Sequence, residues 1–278
     1  MKNILFITNA VSMNWKVLDF ACFIAGAAHS SLKGIFVEVA TVSKTYILES
    51  DDEPPCGDIL GGSDIMGFET RQGRKDTNIQ RFKEYCEKKN IPCSTLCVEG
   101  EPMKAVLVES RFADLIIAGA ATSAEENRNQ FPAEFMKRLL QKAECPLIIA
   151  PDHLNDIDEI IFAYDGSASS VFATRQFAQL MPFFEDKKIF VVQVGNASGI
   201  KYKRQISDLL RGYYSQIGYK VIDGSDPSYE LFEFLRHRDN CMVVMGAYGR
   251  AYFSRLFKNS TADPLILLLK VPIFITHC

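Results

Sequence analysis

The sequence predicts an α/β protein made of two tandem open sheets, each with five mostly parallel strands and helices on both faces. Apolar runs of strand length alternate along the 278 residues with segments of helical periodicity. These strand segments are almost continuously apolar, which is typical of parallel strands buried on both faces. The order of segments also occurs twice, so we expect an N-terminal domain at residues 1–152 and a C-terminal domain at residues 153–278.

The first copy contains five predicted strands and four predicted helices, and in both copies the last helix is followed by a proline and the fifth strand. Its first helix, over residues 11–28, would turn Trp15, Leu18, Cys22 and Ala25 inward. The strands are predicted at residues 4–7, 34–39, 94–98, 115–119 and 146–149, and the later helices at residues 78–89 and 103–110.

The second copy repeats this order. Its strands are predicted at residues 160–163, 189–194, 219–222, 242–246 and 272–275, and its helices at residues 170–181, 201–216 and 228–236. Lys201, Lys203 and Arg204 alternate with apolar residues at helical spacing, which predicts a solvated helix face.

The first copy is longer than the second. Pairing Phe6 with Phe162 gives an offset of 156, whereas pairing Gly119 with Gly246 gives 127, so the first copy holds about 29 extra residues. They fall in residues 43–75, a polar stretch that we expect to be a long insertion, either a functional cover or disordered.

Composition excludes several classes of function. The chain is 47% hydrophobic and 23% charged with a net charge of −3, so neither nucleic acid nor an acidic membrane is an expected partner. No apolar run has the ~18 residues of a membrane span, and the first apolar run is too short and polar for a signal peptide. The eight cysteines and four histidines show no metal spacing. We therefore expect a cytoplasmic protein with reduced thiols and no metal centre.

The stretch 242–261 has the features of a phosphate-binding loop after a buried strand. Glycines at the carboxyl end of a strand let backbone N–H groups approach an anion, and a hydroxyl can cap the helix that follows. An arginine adds a full positive charge, and a helix N-terminus favours anions. The candidate contacts are Gly246, Gly249, Arg250, Asn259, Ser260 and Thr261.

The spacing of this loop resembles the nucleotide loop of the universal stress protein family, G-x2-G-x9-G-[S/T]. Asn259 stands where the family has its third glycine, and asparagine tolerates the left-handed backbone better than most residues. The resemblance covers the whole chain as two family domains in tandem. It implies a Rossmann-like fold of the adenine nucleotide alpha hydrolase type.

Asp165, Gly166 and Ser167 directly follow the first strand of the second copy. An aspartate there can accept hydrogen bonds from a ribose or a base, or help to hold Mg2+. The alternative is an ordinary strand-to-helix turn with a capping residue. The family resemblance implies that Asp165 and Val194 border an adenosine, with Ala163 beside the base.

The first copy departs from this pattern. Asn9 replaces Asp165, Thr122 takes the place of the second glycine of the loop, and Pro132 has no N–H to donate. We expect one nucleotide site per chain, in the C-terminal half.

The resemblance implies a tandem universal stress protein that binds ATP or a related adenine nucleotide, with or without Mg2+, in a stress-response or regulatory role. One alternative is a nucleotide-free interaction module of the same fold. Another is a slow ATP-hydrolysing or adenylate-transferring enzyme, for which only Asp165 and Ser167 are candidate groups; we do not expect efficient catalysis. Family members associate through the fifth strand, so residues 146–150 and 272–276 could pair within one chain as a pseudo-dimer. A homodimer and a protein partner stay open.

Overall fold

The computed structural model describes residues 1–38, 62–122, 134–152, 156–195, 199–246 and 270–276. The strands are β1 Asn3–Asn9, β2 Ser31–Glu38, β3 Cys93–Glu99, β4 Leu115–Gly119, β5 Leu147–Ala150, β6 Glu159–Ala163, β7 Lys188–Val194, β8 Ile217–Ile222, β9 Cys241–Gly246 and β10 Ile273–Thr276. The helices are α1 Trp15–Ala27, α2 Gly62–Lys88, α3 Pro102–Ser110, α4 Glu134–Lys142, α5 Ala168–Leu180, α6 Lys203–Arg211 and α7 Pro227–Leu235, with a 3-10 turn at Pro182–Phe184. None of these described helices is both long and apolar enough to cross a bilayer.

All ten strands form one sheet, in the order β3-β2-β1-β4-β5-β10-β9-β6-β7-β8. Within each half the strands are parallel, as predicted. The two predicted five-stranded sheets join edge to edge because β5 and β10 pair antiparallel, with Ile148 opposite Phe274. The predicted pairing of the fifth strands within one chain is therefore present.

Helices cover both faces of this sheet. Side chains of α1, α2, α5 and α6 pack on one face, and side chains of α3, α4 and α7 pack on the other. Alternate residues of a strand enter opposite cores: Phe6 faces the first group of helices and Ile7 the second. Burial on both faces explains why the strand segments are continuously apolar.

The first helix starts later than the sequence pattern predicts. Asn14 is the N-cap residue, since its Oδ1 accepts hydrogen bonds from the backbone N–H groups of Lys16, at 3.0 Å, and Val17, at 3.4 Å. Leu18 is buried as predicted, but the prediction for Trp15 is wrong, because its side chain is 39% exposed. Its ring instead meets the ring of Tyr85 edge-on, at a centroid distance of 6.3 Å.

Part of the predicted insertion is helical. α2 begins at Gly62, sixteen residues before the predicted start at Asn78 and within the stretch 43–75. At the end of this stretch, the buried Lys75 ammonium pairs with the carboxylates of Glu99 and Glu38. A buried ion pair leaves no apolar periodicity in the sequence. Residues 62–75 are helical, so they are neither the long loop nor the disordered segment that was predicted. Residues 43–61 lie outside the described residues.

Candidate functional site

A cleft opens in the second half at the carboxyl ends of β6, β7 and β9. It measures about 400 Å³ together with the solvent space at its mouth. In sheets of this kind, ligands bind beyond the carboxyl ends of the strands. The residues that line this cleft are Ala163, Tyr164, Asp165, Ser167, Ser170, Val192, Val194, Leu231, Met245 and Gly246.

The turn after β6 forms the polar side of this cleft. The Oδ1 atom of Asp165 accepts a hydrogen bond from the backbone N–H of Ser167 at 2.9 Å. Ser167 caps α5, since its Oγ accepts a hydrogen bond from the backbone N–H of Ser170 at 3.2 Å. Gly166, between Asp165 and Ser167, has φ +77, a conformation that glycine adopts without a steric cost. The capping role foreseen for this turn is thus present, and it leaves the Asp165 carboxylate on the cleft wall.

Asp165 is ionised at neutral pH. Burial would by itself raise the pKa of this carboxyl, but hydrogen bonds from Ser167, together with a weaker one from Ser170, outweigh it and lower the pKa below its usual value of 3.8. The cleft therefore contains a fixed carboxylate that can accept further hydrogen bonds.

The other walls of the cleft are apolar. Val192 and Val194 come from β7 and Ala163 from β6, so the structure brings the predicted Val194 and Ala163 to the same place as Asp165. Leu231 of α7 and Met245 of β9 complete these walls, and sequence reasoning missed both. Met245 could have been found from the sequence, because it directly precedes the predicted Gly246. No neighbouring residue in the sequence indicated that Leu231 lines the cleft.

Gly246 ends β9 at the edge of the cleft and packs directly on α5. A Cβ atom at this position would lie 2.3 Å from the Oγ of Ser169 and 2.5 Å from its carbonyl oxygen. Only glycine fits here, because the contact is with backbone that cannot turn aside. This packing is a structural reason for Gly246 that adds to the predicted role in admitting an anion.

The segment before α6 also contacts the site. The side chain of Gln193, which is buried, accepts a hydrogen bond from the backbone N–H of Lys201 at 2.9 Å and donates one to the carbonyl of Gly199 at 3.3 Å. This places Lys201 and Tyr202 against Gly166. Lys201, Lys203 and Arg204 are all exposed, as predicted, but the helix begins only at Lys203 instead of at Lys201.

The corresponding turn of the first half has the same local geometry with a neutral residue. The Oδ1 of Asn9 accepts hydrogen bonds from the backbone N–H groups of Val11 and Ser12, both at 2.9 Å. The side-chain amide of Asn78 donates to the carbonyls of Ala10, at 2.9 Å, and Val11, at 3.0 Å. α2 is thus tied directly to this turn.

A buried hydroxyl lies beside the Asp165 turn. Tyr164 is 2% exposed, and within the described ranges its Oη has no hydrogen-bond partner. Burial raises the pKa of this phenol, so the hydroxyl stays protonated at neutral pH.

Gly249, Arg250, Asn259, Ser260 and Thr261 lie outside the described residues, as does Pro132 of the first half. In the part of the chain that is described, no group of three or more His, Cys, Asp or Glu side chains is arranged to hold a metal ion.

No family model matches the sequence, and no curated protein matches it. Solved structures match by fold. A universal stress protein from Archaeoglobus fulgidus DSM 4304 aligns with a TM-score of 0.71 at 15% identity, over 99% of this chain and 98% of that one. A functionally unknown protein from Pseudomonas aeruginosa PAO1 aligns with a TM-score of 0.60 at 12% identity, over 100% of this chain and 92% of that one. The chain therefore has an α/β fold that solved universal stress proteins share.

Proposed function

We propose that this chain is a tandem universal stress protein, with domains at residues 1–152 and 153–278, that binds ATP or a related adenine nucleotide in its second half. The cleft supports this most directly, because it joins the Asp165 turn, the apolar surface of Val194 and the glycine at the end of β9. The fold shared along the full length with a universal stress protein adds to it.

The cleft suits the nucleoside part of such a ligand. Val192, Val194 and Leu231 present apolar surface on which the faces of a purine ring can be buried. A carboxylate has about four acceptor positions, so Asp165 can accept hydrogen bonds from ribose hydroxyls in addition to those from Ser167 and Ser170. The depressed pKa of Asp165 keeps this acceptor charged at neutral pH.

The phosphates are assigned from the sequence. Gly249, Arg250 and the group Asn259, Ser260 and Thr261 follow β9, whose last residue borders the cleft. A loop leaving that point can bring N–H donors and a positive charge to a phosphate chain. Mg2+ would bind chiefly to the phosphates, with the Asp165 carboxylate as an available oxygen ligand.

The position of the site suits a regulatory role. β9 lies next to β10, and β10 is the strand that pairs with the first half. A ligand bound at the end of β9 is therefore one strand away from the junction of the halves. We place the protein in the cytoplasm, where a protein partner would respond to nucleotide occupancy in the stress response.

The test compares two alanine variants at corresponding turns. Asp165→Ala and Asn9→Ala each remove the oxygen that accepts from the backbone two residues later. We expect ATP to stabilise the unmodified protein in thermal unfolding, by about 2.7 kcal/mol at a concentration of 100 times Kd. Calorimetric titration should show that Asp165→Ala binds ATP about 10-fold more weakly or worse, a loss of about 1.4 kcal/mol of binding free energy. The affinity of Asn9→Ala for ATP should be unchanged.

Three other outcomes have clear meanings. An unchanged affinity in Asp165→Ala, or a loss only in Asn9→Ala, would place the site elsewhere and overturn the assignment. Absence of binding by ATP, ADP and AMP to the unmodified protein would favour a nucleotide-free interaction module of this fold. Gly249→Val tests the predicted loop separately, since a branched side chain there should block the phosphates and abolish binding.

A further inference from the structure

Lys201 lies directly on the turn that borders the cleft. A Cβ atom built on Gly166 would be 2.9 Å from the Cβ of Lys201 and 3.1 Å from its Cδ. The stem of the lysine therefore runs across the face of Gly166, between Asp165 and Ser167. Its ammonium is only two bonds beyond the Cδ atom, so the charge is within reach of this turn.

A hydrogen bond to a buried side chain fixes the backbone at Lys201. Its N–H donates to the side chain of Gln193, a residue of β7 that is 2% exposed. The next residue, Tyr202, has φ 50 and ψ 38 and is the N-cap residue of α6, although its side chain makes no capping hydrogen bond. A left-handed backbone is costly for an aromatic residue, and surrounding contacts must hold it. The Lys201–Tyr202 corner is thus a built feature of this loop, and the ring of Tyr202 remains 62% exposed beside it.

The charge of Lys201 is available for a ligand. In the described part of the chain, its ammonium has no ion-pair partner, while many other lysines and arginines are paired with carboxylates. Asp165 beside it is ionised and would repel a phosphate-bearing ligand. A cation on the same turn offsets that repulsion.

In the first half, a different side chain contacts the corresponding turn after β1. There the crossover after its second strand contacts the turn through Asn78, whose amide donates to the carbonyls of Ala10 and Val11. That contact satisfies backbone acceptors with a neutral side chain. In the second half the crossover brings the stem of an exposed lysine to the turn whose neighbours, Asp165 and Ser167, line the cleft.

We propose that Lys201 is a specificity-determining residue of the second-half site, where its ammonium contacts the phosphate part of the bound nucleotide and selects phosphate-bearing ligands over nucleosides. This assignment rests on the proposed function. Lysine acts on phosphate as a mobile point charge, which suits a side chain that is anchored at its stem and free at its end.

The test uses Lys201→Met with Lys203→Met as the matched control. Both variants lose one positive charge from the same exposed segment, but the ammonium of Lys203 lies over the Tyr219 ring at 5.0 Å instead of on the Gly166 turn. Calorimetric titrations with ATP and with adenosine are run at two salt concentrations on the full chain. Thermal unfolding without ligand verifies that each variant is folded.

In Lys201→Met we expect the affinity for ATP to fall by about 10-fold, equivalent to about 1.4 kcal/mol, and the affinity for adenosine to stay within about 2-fold. The salt dependence of ATP binding should also weaken. Lys203→Met should leave the affinities for ATP and for adenosine unchanged. Lys201→Arg should retain most of the preference for ATP over adenosine.

Other results separate this inference from the proposed function. Unchanged ATP affinity in Lys201→Met, with binding intact in the unmodified protein, overturns the role of Lys201 and leaves the nucleotide site standing. Equal losses for ATP and adenosine would show that Lys201 only shapes the turn, which also overturns it. If the unmodified protein binds neither ligand, the proposed function fails and the inference fails with it.

Discussion

Gly246 and Ser169 lie in direct contact where β9 ends against the first turn of α5. A side chain on Gly246 would overlap the Ser169 backbone, with its Cβ 2.5 Å from the carbonyl oxygen and 2.6 Å from the carbonyl carbon. The same glycine borders the cleft. One close approach therefore sets both the packing of α5 on the sheet and the shape of the site.

Gly246→Ala should destabilise the protein by about 2 kcal/mol or more, because overpacking against backbone forces a shift of the strand or the helix. Urea denaturation followed by circular dichroism measures this loss. Gly73→Ala is the control: Gly73 lies in α2 with open space around it, and alanine there should stabilise the helix by about 0.5–1 kcal/mol. Equal effects of the two substitutions would contradict the contact.

The ionised Asp165 should give a defined pH dependence of stability. A carboxyl whose folded pKa lies below its unfolded value stabilises the fold above the unfolded pKa, and this contribution disappears as pH falls through the folded pKa. Asp165→Asn retains an accepting oxygen without the charge. We expect the free energy of unfolding of the unmodified protein to exceed that of Asp165→Asn by a constant amount at neutral pH.

This difference should shrink as the pH falls through 3.8, the usual value, and below it. Urea titrations of both proteins from pH 7 down to the acid limit of folding measure it. A difference that grows on acidification would mean that burial outweighs the hydrogen bonds and that the pKa of Asp165 is raised.

Two tyrosines differ in what their hydroxyls contact. The Oη of Tyr164 has no partner in the described structure, so Tyr164→Phe should be neutral or stabilise the fold by up to about 1 kcal/mol. The Oη of Tyr85 donates to the Oδ1 of Asp19 at 2.6 Å, so Tyr85→Phe should cost about 1 kcal/mol. Denaturant titrations distinguish them, and a large loss in Tyr164→Phe would reveal a partner for its hydroxyl.

The first half alone should self-associate. All four residues of β5, Leu147–Ala150, are buried in the full chain, where β10 pairs with this strand. A fragment of residues 1–152 would expose an apolar edge strand, which is a template for pairing with another copy. Light scattering coupled to size exclusion should show dimers or larger species for the fragment, with the full chain measured as reference. A monomeric fragment at tens of micromolar would contradict this expectation.

The sequence by itself determined the fold class and the polar side of the site. Continuous apolar runs report burial on both faces, and their doubled order reports the tandem arrangement, since both signals are carried by neighbouring residues. Asp165 and Gly246 were found for the same reason: each directly follows or ends a strand, and parallel strands place those points at one edge of a sheet.

The tertiary structure alone decided which distant side chains meet. It showed that Trp15 is exposed, that α2 extends back to Gly62, that Leu231 closes the cleft, and that Lys201 lies across Gly166. Each of these depends on contacts between elements far apart in the chain. Local periodicity indicates which face of an element is apolar but not which distant residues cover that face, so only the packed structure could supply them.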